Sequence, residues 1–143
     1  MHSKQTIEVL IKRYESLARE NIDSLLELYA PEAWFKDPFN EVTGKNAIKH
    51  IFLHMFEQLE FPRFKVVSWI MEENQTCLRW EFHTHRPDSR SPNIIHGCTW
   101  LYLNKDGLIE EHRDYWDAAE ELYEKLPIVG SFMRWLKKRI RAN

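Results

Sequence analysis

Two carboxylates in this chain have neighbours suited to proton chemistry. Asp37 stands in Trp34-Phe35-Lys36-Asp37-Pro38-Phe39, one acid wedged between aromatic residues and a proline. Such a carboxylate is either a solvated turn residue or a base at the mouth of an apolar pocket, where desolvation brings it nearer neutral pKa. Asp114 stands in His112-Arg113-Asp114-Tyr115-Trp116. On a strand, His112 and Asp114 share one face roughly 7 Å apart, so an acid and an imidazole sit side by side. The bland alternatives are a buried carboxylate tying helices to a sheet and a satisfied core histidine. His83, His85 and His96 raise the question of zinc, but no acid or thiolate completes a recognised spacing, and no metal is assigned. Cys77 and Cys98 stand alone, without a CxxC pair, as structural thiols in a reducing cytosol. With 4 glycines and neither a phosphate-loop pattern nor a G-x-S-x-G elbow, nucleotide binding and serine hydrolysis are excluded, and no cofactor is expected.

The elements that must carry these residues come in two blocks. Residues 4–18 place Ile7, Leu10, Ile11, Tyr14 and Leu17 on one helical stripe. A second helix is expected from Ile22 to Tyr29, ended by Pro31, and a short apolar strand follows. Residues 45–59 form a third helix with Phe52, Met55 and Phe56 on its buried side, stopped by Pro62. The period then changes from 3.6 to 2, over Phe64–Met71, Thr76–His85, Ile94–Leu103 and Leu108–Trp116. Three helices before an antiparallel meander read as one α+β domain, with helices on one face of a curved sheet.

Register decides which side chains meet. The Asn104-Lys105-Asp106-Gly107 turn is expected to pair Leu103 with Leu108, setting Thr99 opposite His112, Gly97 opposite Asp114 and Leu101 opposite Glu110. Trp116 shares that face, and the glycine leaves room above Asp114 for a ligand. In the preceding strand, burial favours Leu78, Trp80 and Phe82 inside over Arg79, Glu81 and His83. One face of the sheet then lines a cavity and the other meets a second subunit.

The tail changes character. Asp117 caps a short helix through Leu126, Pro127 and Gly130 interrupt, and Ser131 starts a final helix. Phe132, Trp135, Leu136 and Ile140 line one side of it, with Arg134, Lys137, Lys138, Arg139 and Arg141 around the rest. It is expected to pack its aromatic side on the domain; contact with a membrane surface or an acidic partner is the alternative. The net charge of −2 over 143 residues leaves no nucleic-acid footprint. The N-terminus lacks the apolar run of a signal peptide, and a soluble, cytoplasmic protein is expected.

Arg13-Tyr14, Tyr29-Ala30-Pro31-Glu32-Ala33 and Asp37-Pro38-Phe39 before Gly44 together resemble the nuclear transport factor 2-like superfamily. Within it the chain is similar to ketosteroid isomerase and the SnoaL-like proteins, over residues from about 5 to 117, with 118–143 as an extension. The resemblance implies a cone-shaped α+β domain, a homodimer through the outer sheet face, and an apolar pocket for a small hydrophobic molecule. Ketosteroid isomerase uses an aspartate base with a tyrosine and a protonated aspartate as oxyanion donors. Asp37 matches the base and Tyr14 the tyrosine, while the third place falls on Thr99. Arg113-Asp114-Tyr115-Trp116-Asp117 is also similar to limonene-epoxide hydrolase, with Arg79-Trp80-Glu81 a loose counterpart of its supporting pair.

The resulting expectation is a cofactor-independent isomerase or cyclase in which Asp37 is the base, Tyr14 an oxyanion donor and Asp114 or His112 a second acid or base. Trp116, Thr99, Trp80 and Phe56 would contact the ligand. The alternatives are a non-catalytic ligand-binding or interaction module and epoxide-hydrolase-like water activation by Asp114.

Overall fold

The computed structural model describes residues 3–85, 93–121 and 127–141. Helix α1 runs Lys4–Glu15, and Ser3 caps it by accepting the Thr6 N–H. A single 3-10 turn leads into α2, Ile22–Leu26. The expected helix to Tyr29 stops early, because Tyr29–Lys36 is already strand β1. Pro31 lies inside that strand, at the irregularity between Tyr29 and Trp34 where no ladder donor is required. Strand β2, Glu41–Thr43, and α3, Lys45–Gln58, follow. The meander comprises β3 (Glu60–Glu72), β4 (Gln75–His85), β5 (Asn93–Leu103) and β6 (Ile109–Tyr115). Pro62 does not stop α3; it sits in β3, at a bulge beside Phe61.

The six strands are ordered β2-β1-β6-β5-β4-β3 in one curved open sheet. Every neighbouring pair is antiparallel except β1 and β6, which run parallel, with Phe35 beside His112. That pairing closes the α+β architecture: everything between β1 and β6 serves as the long crossover that parallel strands require. The helices bury Ile7, Leu10, Ile22, Leu25, Ile48 and Phe52 against Leu101, Leu103 and Ile109 of the sheet. In β4 the apolar set faces this core, since Leu78, Trp80 and Phe82 are buried while Arg79 is exposed.

The β5–β6 register differs from expectation by two residues. Asn104 closes the turn itself, donating its N–H to Leu108 and accepting the Asp106 and Leu108 N–H groups on its side chain. Leu103 therefore pairs with Ile109, and a bulge beyond it adds a second residue of slip. Thr99 consequently faces Asp114, and Leu101 faces His112. A slip of two keeps every side chain on its own face, so Thr99, His112 and Asp114 still point inward. Glu110 falls at the bulge and is exposed.

The tail also differs. Helix α4 spans Ala118–Glu121, and the rest of the helix expected through Leu126 lies outside the described residues. Helix α5 spans Pro127–Ile140 without a break, since a proline in the first helical turn gives up an N–H that has no partner there. Its aromatic side does not pack on the domain: Ile128, Phe132, Trp135 and Ile140 are 85%, 58%, 53% and 74% exposed. Among the described residues no helix is long and apolar enough to cross a membrane.

Candidate functional site

Four elements bring polar side chains together inside the cone. Helix α1 carries Tyr14 on its buried stripe, and Arg13 fixes that helix by donating to the Ser24 carbonyl and hydroxyl. Strand β1 opens with Tyr29, β6 supplies His112 and Asp114, and β5 supplies Thr99. The two tyrosine hydroxyls are 2.5 Å apart, and His112 Nδ1 lies 2.9 Å from Tyr29 and 3.2 Å from Tyr14. On the other side of the ring, His112 Nε2 lies 2.8 Å from Asp114 Oδ1. The Thr99 hydroxyl donates to the same Oδ1 at 2.5 Å, and it accepts the Trp80 indole N–H at 2.7 Å.

The direction of each bond follows from what each group can do. An ionised carboxylate only accepts, so His112 donates through Nε2, and the neutral imidazole then accepts at Nδ1. The nearer hydroxyl, Tyr29, fills Nδ1, and Tyr14 donates to Tyr29. Two donor chains thus end on one oxygen: Tyr14 to Tyr29 to His112 to Asp114, and Trp80 to Thr99 to Asp114. Burial pushes both phenols above their ordinary value. For Tyr14 the hydrogen bond to Tyr29 opposes that rise and the Asp114 charge adds to it; for Tyr29 the Tyr14 hydroxyl and then Asp114 add. Both therefore stay protonated donors. Among the described residues, Asp114 Oδ2 has no hydrogen-bond partner, and it is not a buried orphan either. It is the open lone-pair site of the network.

Asp114 also stands between two spaces. Inward is an enclosed cavity of about 30 Å³, walled by Tyr14, Phe52, Phe64, Val66, Leu78, Trp80, Thr99 and His112 as well as Asp114. That is room for roughly one water molecule. Outward is an open groove of about 530 Å³ formed by Lys36, Asp37, Pro38, Arg113, Asp114, Tyr115, Trp116 and Asp117. The His112 side chain is 4% exposed and that of Asp114 17%, so the imidazole is sealed while the acid is reached from outside.

The expected site residues divide accordingly. Tyr14, His112, Asp114, Thr99 and Trp80 converge. Asp37 joins Asp114 only in the outer groove, and its Oδ1 accepts the Phe39 and Asn40 N–H groups at 2.7 Å each. The Asn40 side-chain amide contacts both Asp37 oxygens. This is the turn-residue alternative in full, with the carboxylate occupied by its own loop. Trp116 lines the groove and meets Phe39 edge-on, ring centres 5.7 Å apart. Phe56 is half-buried outside both spaces, and Phe52, one helical turn earlier, lines the cavity instead. Gly97 does not leave room above Asp114. It faces Trp80, and a Cβ there would lie 2.4 Å from the indole Cη2. Arg79 and Glu81 lie on the opposite sheet face from Asp114, so the supporting pair expected for epoxide hydrolysis does not assemble. His83 stands opposite Ile94, and His96 opposite Glu81. Burial and then the neighbouring Cys98 push the Cys77 thiol up, consistent with structural thiols.

Tyr29 was missed because Pro31 reads as a helix stop and places Tyr29 on α2. The available signal was the residue type: a tyrosine on an inward-facing stripe with Ile22, Leu25 and Leu26 needs a hydroxyl partner when buried.

A model of the SnoaL-like domain matches residues 11–112. Among solved structures, a protein of Catenulispora acidiphila with a ketosteroid isomerase-like fold, in complex with trimethylamine, superposes with a TM-score of 0.72 at 14% identity. The match covers 85% of this chain and 92% of that one. A Shewanella putrefaciens protein provisionally named a SnoaL-like polyketide cyclase gives 0.69 at 16% identity, covering 85% and 87%. A nuclear transport factor 2-like protein of unknown function from Exiguobacterium gives 0.67 at 21%, covering 78% and 98%. Among curated proteins, none matches the chain significantly.

Proposed function

The chain belongs to the SnoaL-like domain family, and we propose that within it the protein moves a proton on a small apolar carbonyl-type ligand, as an isomerase or cyclase does, with Asp114 as the base. One observation carries this reading. Asp114 has its Oδ1 held by His112 and Thr99, its Oδ2 takes no hydrogen bond among the described residues, and the residue lines the groove. A base must be fixed in direction yet keep a free lone pair for the proton it takes. The proton moves from a carbon beside the ligand carbonyl to Oδ2 while the electron pair passes onto the carbonyl oxygen, and it returns at a second position, so the carboxylate is regenerated. His112, Tyr29 and Tyr14 orient the acid and offset its charge through donated hydrogen bonds. The ligand body lies along Pro38 and Trp116. This shifts the expected base from Asp37, whose oxygens hold their own turn.

A second reading has its own observation. Trp80 fills the cone and leaves about 30 Å³, which suits a module that binds ligand or protein at its surface without turnover. The outer sheet face, with Ile70, Trp100 and Tyr115 exposed, would serve a homodimer in either case.

The deciding experiment is proton exchange and isomerisation of a β,γ-unsaturated cyclic ketone by the full chain. Asp114→Asn should lower the rate by about 10²- to 10⁴-fold, as loss of a positioned base does. Asp37→Asn should change it by less than about threefold, within the range of an altered turn. Equal rates for wild type and Asp114→Asn would remove the proton-transfer reading, and binding without any exchange would select the second.

A further inference from the structure

Helix α5 is the element whose surface the rest of the chain leaves unused. It contains no acid, and Arg134, Lys137, Lys138 and Arg139, with Arg141 just beyond, put five cations into eight residues. At about 100° per residue, Trp135, Ile128, Arg139 and Phe132 fall within one sector of about 60°. Gly130, Met133 and Lys137 fall on the opposite side. That opposite side faces the chain: Gly130 is buried, Met133 half-buried, and Lys137 lies 4.0 Å from Glu120. The aromatic sector therefore points away from the fold. Within it, the Arg139 guanidinium lies over the Trp135 ring, 5.3 Å from its centre. Lys138, Arg139 and Arg141 are all exposed.

We propose that α5 docks the protein on an anionic phospholipid surface. Ile128, Phe132 and Trp135 enter the boundary between headgroups and acyl chains, while Lys138 and Arg139 reach lipid phosphates. Charge selects this occupant. A second copy's α5 would bring like charges together, so the surface that covers this face must be apolar and anionic at once. A bilayer containing acidic lipid is both. Arg139, set among apolar residues, fits because its stem lies in the boundary and its guanidinium extends to phosphate. Fourteen residues span about 21 Å, too short to cross a bilayer and long enough to lie on one. This inference stands apart from what the cone does.

The test is sedimentation of the full chain with vesicles of phosphatidylcholine alone, and of three parts phosphatidylcholine to one part phosphatidylglycerol. The mixed vesicles should retain the protein, and retention should fall as salt rises from about 0.05 M to about 0.5 M. Each cation near such a surface is worth about fivefold in partition. Lys138→Glu/Arg139→Glu should therefore lose at least about twenty-fivefold, and Phe132→Ala/Trp135→Ala about tenfold or more. All the altered side chains are exposed, so circular dichroism and the melting midpoint should match wild type and exclude unfolding as the cause. Three results would overturn the proposal: no retention by the mixed vesicles, equal retention by phosphatidylcholine alone, or a lipid-free dimer that Phe132→Ala/Trp135→Ala converts to monomer. The last would assign the face to a second copy of the chain.

Discussion

Asp114 Oδ1 is where two buried donor chains end, and five other side chains hold it directly or through one another. Tyr14, Tyr29, His112 and Thr99 are buried, so each must have a partner or cost stability. The arrangement satisfies all four by giving every donor one acceptor in series. A consequence appears at alkaline pH. Both phenols are raised above the ordinary 10.0 by burial, so the folded chain keeps two protons that the unfolded chain releases. The unfolded state then binds fewer protons, and stability falls as pH rises through and beyond that value; below it the contribution is fully present. Between about pH 8 and about pH 10.5 the pair should cost about 1.5 kcal/mol, read as the change in urea unfolding free energy. Tyr14→Phe/Tyr29→Phe should lack that loss. If the double variant loses as much as wild type, the phenols do not titrate as buried groups. At this scale the sequence was legible wherever strand alternation governs: His112 and Asp114 share a face because they are two apart. The sequence could not show that Asp37 is occupied, since that depends on the conformation of Phe39 and Asn40.

At the scale of elements, the site depends on a junction between β1, β2 and α3 that one glycine makes feasible. Gly44 donates its N–H to the Ala33 carbonyl and starts α3 with φ of 98° and ψ of 149°. Glycine is at home there, and a side chain is not, although a Cβ would meet nothing closer than 3.9 Å. The penalty for Gly44→Ala is thus conformational rather than steric, about 1–3 kcal/mol. Thermal unfolding should show it as a fall of roughly 3 °C per kcal/mol for a domain of this size. An unchanged midpoint would mean the junction relaxes without cost. Gly44 and the helix after it were readable in sequence, as were the two faces of β4, because periodicity is local. The β1–β6 pairing was not: strands separated by the whole meander leave no local signature. The bulge beside Leu103 was equally hidden, and it went unpunished only because two slips restore the same face.

For the whole molecule, the question is whether α5 belongs to the fold or only to its surface. Burying four large apolar side chains would stabilise the chain by about 1.5–3 kcal/mol each. Ile128, Phe132, Trp135 and Ile140 remain exposed, so that stabilisation is absent. The Lys137–Glu120 pair at 4.0 Å has both side chains at least half exposed, and such pairs are worth about 0–1 kcal/mol. The six-stranded sheet with α1, α2 and α3 encloses its own core without the tail, and the family match ends at residue 112. The basic stripe of the tail was plain in the sequence; its outward aim was not, because an amphipathic pattern states that a helix has an apolar side without saying what covers it. A chain ending at Glu121 should therefore unfold cooperatively within about 2 °C of the full chain by differential scanning calorimetry. It should also keep the Asp114 network intact, since none of its members lies beyond Asp114 itself. A fall of about 10 °C or a broadened transition would instead place α5 within the cooperative unit, and its exposed side chains would then need a partner for the fold to stand.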